Sequence, residues 1–125
     1  MPNKAIVLLT AVIMIFSCRR DEIYTGITSA LGHPSEPYYV VLITGRDCSS
    51  CILGVERFTN PHIPVYGLYY APRHEKDLKK LLLKLYPGIR WTAVKDESLM
   101  KKLFKRHPKG PYVFLVEQNS AIPLR

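Results

Sequence analysis

The 125-residue chain reads as an α/β protein with a central mixed sheet and flanking helices. Three runs of β-branched and aromatic residues, Tyr38 to Thr44, Val65 to Ala71 and Pro111 to Val116, have the continuous apolar character of strands covered on both faces. The segments between them carry leucines at helical spacing. In the first half strands and helices alternate, which requires parallel strands joined by right-handed crossovers. With 47% hydrophobic residues, the chain supports one domain with a modest core rather than two.

The first element is not part of that sheet. Met1 to Ser17 holds one positive charge at Lys4, an apolar run from Ala5 to Phe16, and a small residue directly before Cys18. Such an order is that of an export signal. A spanning helix needs about 18 or more apolar residues. This run is interrupted by Thr10 and ended by Cys18, Arg19 and Arg20. Ile15-Phe16-Ser17-Cys18 resembles the lipobox of bacterial lipoproteins, with Phe16 where a small residue is usual. The resemblance implies that residues 1–17 are a lipoprotein signal peptide and that Cys18 is acylated and becomes the new N-terminus. It also implies a chain held at a membrane of the cell envelope, on the periplasmic or surface side. Several acyl chains on one cysteine anchor stably, whereas one binds only marginally. Simple secretion, a retained short anchor and a buried N-terminal strand are the alternatives. Residues 18–37, with Gly26, Gly32, Pro34 and Pro37, read as a tether with one helical turn around Ile27 to Leu31.

Residues 38–125 form the domain. Tyr38 to Thr44 is bounded by Pro37 and Gly45, and Gly45 to Asp47 leads into Cys48 at the start of a helix. Cys51, Ile52, Val55 and Phe58 give that helix one apolar side, and Asn60, Pro61 and Pro64 end it. After the strand Val65 to Ala71, the segment His74 to Tyr86 places Leu78, Leu81, Leu82 and Leu85 on one face and Lys76, Lys79, Lys80 and Lys84 on the other. Pro87-Gly88 stops it. Arg90 to Lys95 fits a short strand. Asp96 suits the cap of a further helix with Leu99, Met100, Leu103 and Phe104 inward and Lys105, Arg106 and His107 in its last turn. Pro111 opens the third strong strand, where no ladder bond is lost, and a turn at Gln118 to Ser120 leads to a short strand at Ala121 to Leu124.

Three features in this order, a strand followed by C-x-x-C and a helix, Asp96 opening a helix, and Lys109-Gly110-Pro111 leading into Tyr-Val-Phe-Leu-Val, resemble the thioredoxin-like superfamily. Within it they resemble the redoxin branch of membrane-tethered bacterial thioredoxins. The resemblance covers Tyr38 to Leu124. It implies a thioredoxin-like fold, a redox-active disulfide at Cys48 and Cys51, and a cis proline at Pro111, with Gly110 before it, lying against the cysteine pair. It also shows departures. Asp47 stands where Trp is usual, Ser49-Ser50 where Gly-Pro is frequent, and Leu42 where thioredoxins proper bury an acid. The family's last helix is missing from the pattern. One sheet face is then left for the N-terminal segment, a dimer partner or another protein to cover.

The chemistry of such a pair needs an accessible thiolate and a second thiol that can displace it. A cysteine at a helix start has backbone N–H groups and a dipole favouring the anion. Cys48 is therefore the expected nucleophile and Cys51 the resolving thiol, exchanging disulfides with protein substrates or an envelope redox partner and needing no cofactor. Arg46 would lower the pKa of Cys48, Asp47 would raise it, and Ser49 or Ser50 offers the thiolate a hydrogen bond. Lys109 adds positive potential. A structural disulfide is one rival, though it would close a short loop and contribute little. A copper or zinc site using the two thiolates with His62, His74 or His107 is another, and a binding lipoprotein without redox turnover is a third. The pattern itself contains no metal-ligand motif.

The net charge is +8 and unevenly spread. Pro72 to Arg125 carries 13 basic against five acidic residues, whereas Cys18 to Ala71 carries four against five. Anionic lipid headgroups or an acidic protein suit such a surface, as does a merely solvated lysine-rich helix. Export and the lack of an aromatic-interleaved recognition motif argue against nucleic acid.

Overall fold

The computed structural model describes residues 22–47, 49–58 and 60–124. Residues 1–17, where a signal peptide is expected, Cys18 and Cys48 lie outside the described residues. Five strands form one mixed sheet: β1 (Tyr38–Thr44), β2 (Val65–Tyr70), β3 (Arg90–Ala93), β4 (Tyr112–Glu117) and β5 (Ser120–Pro123), in the spatial order β3-β2-β1-β4-β5. β1, β2 and β3 run parallel, β4 adds antiparallel on the other side of β1, and β5 pairs antiparallel with β4. β1 is therefore central and is buried at every one of its seven positions.

Side chains of a strand alternate between faces, and β1 divides accordingly. Val40 and Leu42 point into one core with Leu68, Tyr112 and Phe114, covered by α1 (Glu22–Leu31) and α4 (Glu97–Arg106). Val41 and Ile43 point into the other with Val113, covered by the one-turn α2 (Ser49–Ile52), a 3-10 turn (Val55–Phe58) and α3 (Glu75–Leu85). Each amphipathic helix meets the sheet by the leucines its spacing singled out. Leu78 and Leu82 of α3 and Leu99, Met100 and Leu103 of α4 are buried, while Leu81, Leu85 and Phe104 are half-buried. Asp96 caps α4, its carboxylate accepting from the Ser98 backbone N–H at 2.9 Å. That bond and the Ser98 hydroxyl hold the Asp96 carboxyl below the usual carboxylate range.

Two elements differ from expectation. The single turn expected within the tether is a ten-residue helix, α1, which buries Ile23 and Ile27 against α4. α1 thus packs beside α4 on the sheet face that holds Val40 and Leu42. Gly26 is the reason α1 escaped notice, since an isolated glycine reads as a break. Here it serves close approach: a Cβ on it would lie 2.6 Å from Leu99 Cδ1. The second difference is the C-x-x-C helix, expected to run to Phe58. It stops after Ile52, turns at Leu53-Gly54, and resumes as the 3-10 turn. Gly54 disfavours helix continuation by about 1 kcal/mol relative to alanine. No helix among the described residues is long and apolar enough to cross a membrane.

Candidate functional site

Parallel strands send their following loops out at one edge of the sheet, which is where α/β proteins assemble sites. β1 and β2 both end there, and antiparallel β4 begins there, because Leu42 pairs with Tyr112. Beyond that pair the Gly45 to Asp47 loop and the Gly110-Pro111 loop leave the sheet side by side.

The first loop is tightly closed on itself. Thr44 N–H donates to Asp47 Oδ2 at 2.7 Å, and Asp47 N–H donates back to Thr44 O at 3.1 Å. Arg46 N–H donates to the Thr44 hydroxyl at 3.3 Å, and Gly45 N–H to Tyr70 O on β2 at 3.0 Å. Asp47, the residue before the first cysteine, is therefore a turn-closing group rather than a free surface charge. Its carboxylate also abuts the second loop: a Cβ on Gly110 would fall 2.7 Å from Asp47 Oδ1 and 3.0 Å from the Tyr112 ring. Only glycine permits that approach. The Gly110–Pro111 peptide is cis, as is Glu36–Pro37 at the other end of β1, and Pro111 is buried.

Cys51 lies in α2, half-buried, and is disulfide-bonded to a partner outside the described residues. The next residue, Ile52, is anchored from the far side of the domain. Tyr86, at the end of α3, donates its hydroxyl to Ile52 O at 2.7 Å, and Trp91 Nε1 of β3 donates to Tyr86 O at 3.3 Å. Together with burial of Ile52 against Val113, this fixes the short helix in place of the helical length it lacks. The expected helix dipole is correspondingly curtailed, because a macrodipole builds over several aligned turns and α2 has four residues.

Arg46 extends over Phe104 of α4, its guanidinium carbon 5.3 Å from the ring centroid. Tyr112 donates its hydroxyl to His107 O at 2.5 Å. Burial, with Asp47 adding repulsion and Arg46 partly offsetting it, pushes the Tyr112 phenol up. Leu42 is fully buried in the apolar core. Among the described residues no group of three or more His, Cys, Asp or Glu side chains converges. Lys109 is exposed beside the Gly110-Pro111 loop.

Of the expected site residues, the structure brings Gly110, Pro111, Asp47 and Cys51 to one edge, and Cys48 lies outside the described residues. Phe104 and Arg73 stand at the same edge and Tyr86 reaches Ile52 from the other end of α3, and none of the three is among the expected site residues. Arg73 had a readable signal, since it follows the strand parallel to β1 and must emerge beside the cysteine loop. Tyr86 and Phe104 reach the site through tertiary packing alone. Comparison of the chain with family models, with curated proteins and with solved structures finds no match.

Proposed function

We propose that the chain is a membrane-tethered thiol-disulfide oxidoreductase of the thioredoxin-like fold, working through Cys48 and Cys51 and held to the cell envelope by a lipid on Cys18. The observation that carries this is the contact between Gly110 and Asp47. It brings the loop before β4 against the residue that precedes Cys48, so a substrate disulfide reaching the pair would also meet the Gly110-Pro111 loop at the start of β4. The order β2-β1-β4-β5, with the cysteine loop leaving central β1, supports the same reading.

In the reducing direction the Cys48 thiolate attacks one sulfur of the substrate disulfide, and the other leaves as a thiolate that takes up a proton. Cys51, after losing its proton, attacks the Cys48 sulfur of the mixed disulfide and releases the second substrate thiol. Two electrons pass to the substrate and the Cys48 to Cys51 disulfide remains. Run backwards, the same steps oxidise a dithiol. Arg46 is the nearest cation in sequence to Cys48 and would favour its thiolate.

Cys51→Ser removes the resolving thiol while leaving the nucleophile. The full chain carrying it is expected to accumulate in envelope extracts as mixed disulfides that dithiothreitol releases, whereas the Cys48→Ser, Cys51→Ser double variant accumulates none. If the single variant captures nothing and the unsubstituted chain shows no reversible two-electron couple in redox titration, the proposal fails.

A further inference from the structure

Helix ends leave their last carbonyls without an intrahelical partner, and α2 ends at Ile52, directly after Cys51. The Cys51 carbonyl accepts from the Gly54 N–H at 3.4 Å, a long turn-closing bond. The Ile52 carbonyl accepts from the Tyr86 hydroxyl at 2.7 Å, across 34 residues of sequence. Tyr86 is itself braced. Its N–H donates to Leu82 O at 2.8 Å, which continues α3, and its carbonyl accepts from the Ile89 N–H and from Trp91 Nε1, both at 3.3 Å. The Trp91 ring lies 6.5 Å from that of Tyr86 and is buried over Gly67 of β2, where a Cβ would collide with it. β2, β3 and the end of α3 thus reach the segment that carries Cys51 through the Tyr86 hydroxyl.

We infer that Tyr86 is a positioning residue for the cysteine pair: its hydroxyl keeps the Cys51 turn in the geometry that closes the bond to Cys48 when that bond is absent. The inference rests on the redox reading of the pair, and the test separates the two. In the oxidised chain the crosslink enforces the turn, and the Tyr86 bond adds to it. In the reduced chain the crosslink is gone, and a one-turn helix is too short to persist by itself. The fraction of reduced molecules that keeps the turn multiplies the rate at which Cys51 attacks a mixed disulfide on Cys48, and with it the stability of the disulfide that results. Loss of the hydroxyl lowers that fraction, so the disulfide becomes easier to reduce. A hydroxyl that only supported the fold would destabilise the oxidised and reduced chains alike and leave the couple where it is.

The full chain and its Tyr86→Phe variant are equilibrated with glutathione buffers. Two glutathione thiols become glutathione disulfide as the protein disulfide takes up two electrons and two protons to give the Cys48 and Cys51 thiols. Tyr86→Phe is expected to shift this equilibrium about fivefold toward the dithiol, the equivalent of one net hydrogen bond. That is about 20 mV, since a tenfold change in a two-electron couple is about 30 mV. Release of a small thiol from its mixed disulfide on Cys48 should slow by a similar factor, while its capture by Cys48 stays unchanged. Trp91→Phe keeps a ring beside Gly67 and removes the Nε1 donor, and it should shift the couple the same way by about twofold. Tyr38→Phe, which deletes a buried hydroxyl at the other end of β1, should leave the couple in place. A Tyr86→Phe couple equal to the parent's, or a shift that Tyr38→Phe shares in full, overturns the inference and leaves the redox reading standing. If Tyr86→Phe does not fold, an unshifted Trp91→Phe couple overturns it in the same way. An unsubstituted chain with no reversible two-electron couple overturns the redox reading and this inference together.

Discussion

Tyr38, the first residue of β1, is fully buried, its ring edge-on to Tyr66 at 5.3 Å between centroids. Its hydroxyl has no hydrogen-bond partner among the described residues. A buried phenol without a partner resists ionisation, and burial, with Glu36 adding repulsion, pushes its pKa up to about 12 from 10.0. The folded state therefore holds this proton through a range in which the unfolded chain gives it up. Stability from this group is intact below pH 10 and is lost as pH rises from 10 toward 12. At about 1.4 kcal/mol per pH unit, that loss is about 3 kcal/mol. Tyr38→Phe deletes the orphaned hydroxyl and keeps the ring. Denaturant unfolding of this variant should show a gain of about 1 kcal/mol at pH 7 and a shallower alkaline decline. Tyr69 and Tyr112, both also raised by burial, leave part of the slope in place. A variant less stable than the parent at pH 7 would mean that the hydroxyl has a favourable contact.

Among the elements, α1 is the one whose role can be settled by a single side chain. Ile27 is fully buried in the core shared by α1, α4 and the sheet, and Lys102 of α4 pairs with Glu22 of α1 at 3.6 Å. An exposed pair of that kind contributes little, so apolar burial must hold the helix. Ile27→Ala should cost about 2–5 kcal/mol in chemical denaturation, whereas a spacer segment would show no change. The strands and the two long helices were legible because their patterns are local: the run Tyr38 to Thr44 and the leucines of α3 and α4 each declare a buried face without reference to the rest of the chain. α1 was not, although Ile23 and Ile27 stand at helical spacing, because Thr25, Gly26 and Thr28 weaken the local signal and the purpose of Gly26 is the crossing with Leu99. The site divides in the same way. Cys51, Gly110 and Pro111 belong to a motif readable along the chain. Asp47 as a turn clamp, Tyr86 as an anchor for Ile52, and the Arg46 to Phe104 stack depend on which loops the sheet brings to one edge.

At the scale of the whole molecule, the basic excess of the second half bears on how the chain would be held at a membrane. Lys76, Lys79, Lys80 and Lys84 project from α3 on one side of the sheet, and Lys101, Lys102, Lys105 and Arg106 project from α4 on the other. A flat anionic surface can meet only one of these sets at a time. Four lysines near such a surface contribute about 1 kcal/mol each at most, which corresponds to binding in the millimolar range and is screened further by salt. Acyl chains act differently, each buried methylene adding about 0.8 kcal/mol, and two or more chains anchor durably. If Cys18 bears the proposed lipid, the lipid dominates and the lysines merely orient the domain. Cys18→Ala should therefore move the full chain from the membrane to the soluble fraction of cell lysates at about 0.15 M salt, where screening acts within about 8 Å. Retention that yields to about 1 M salt, where the screening length is about 3 Å, would assign attachment to the charged faces. Retention through that wash would mean that the apolar run Ala5 to Phe16 stays in the bilayer as part of the mature chain, and the lipid anchor would have to be abandoned.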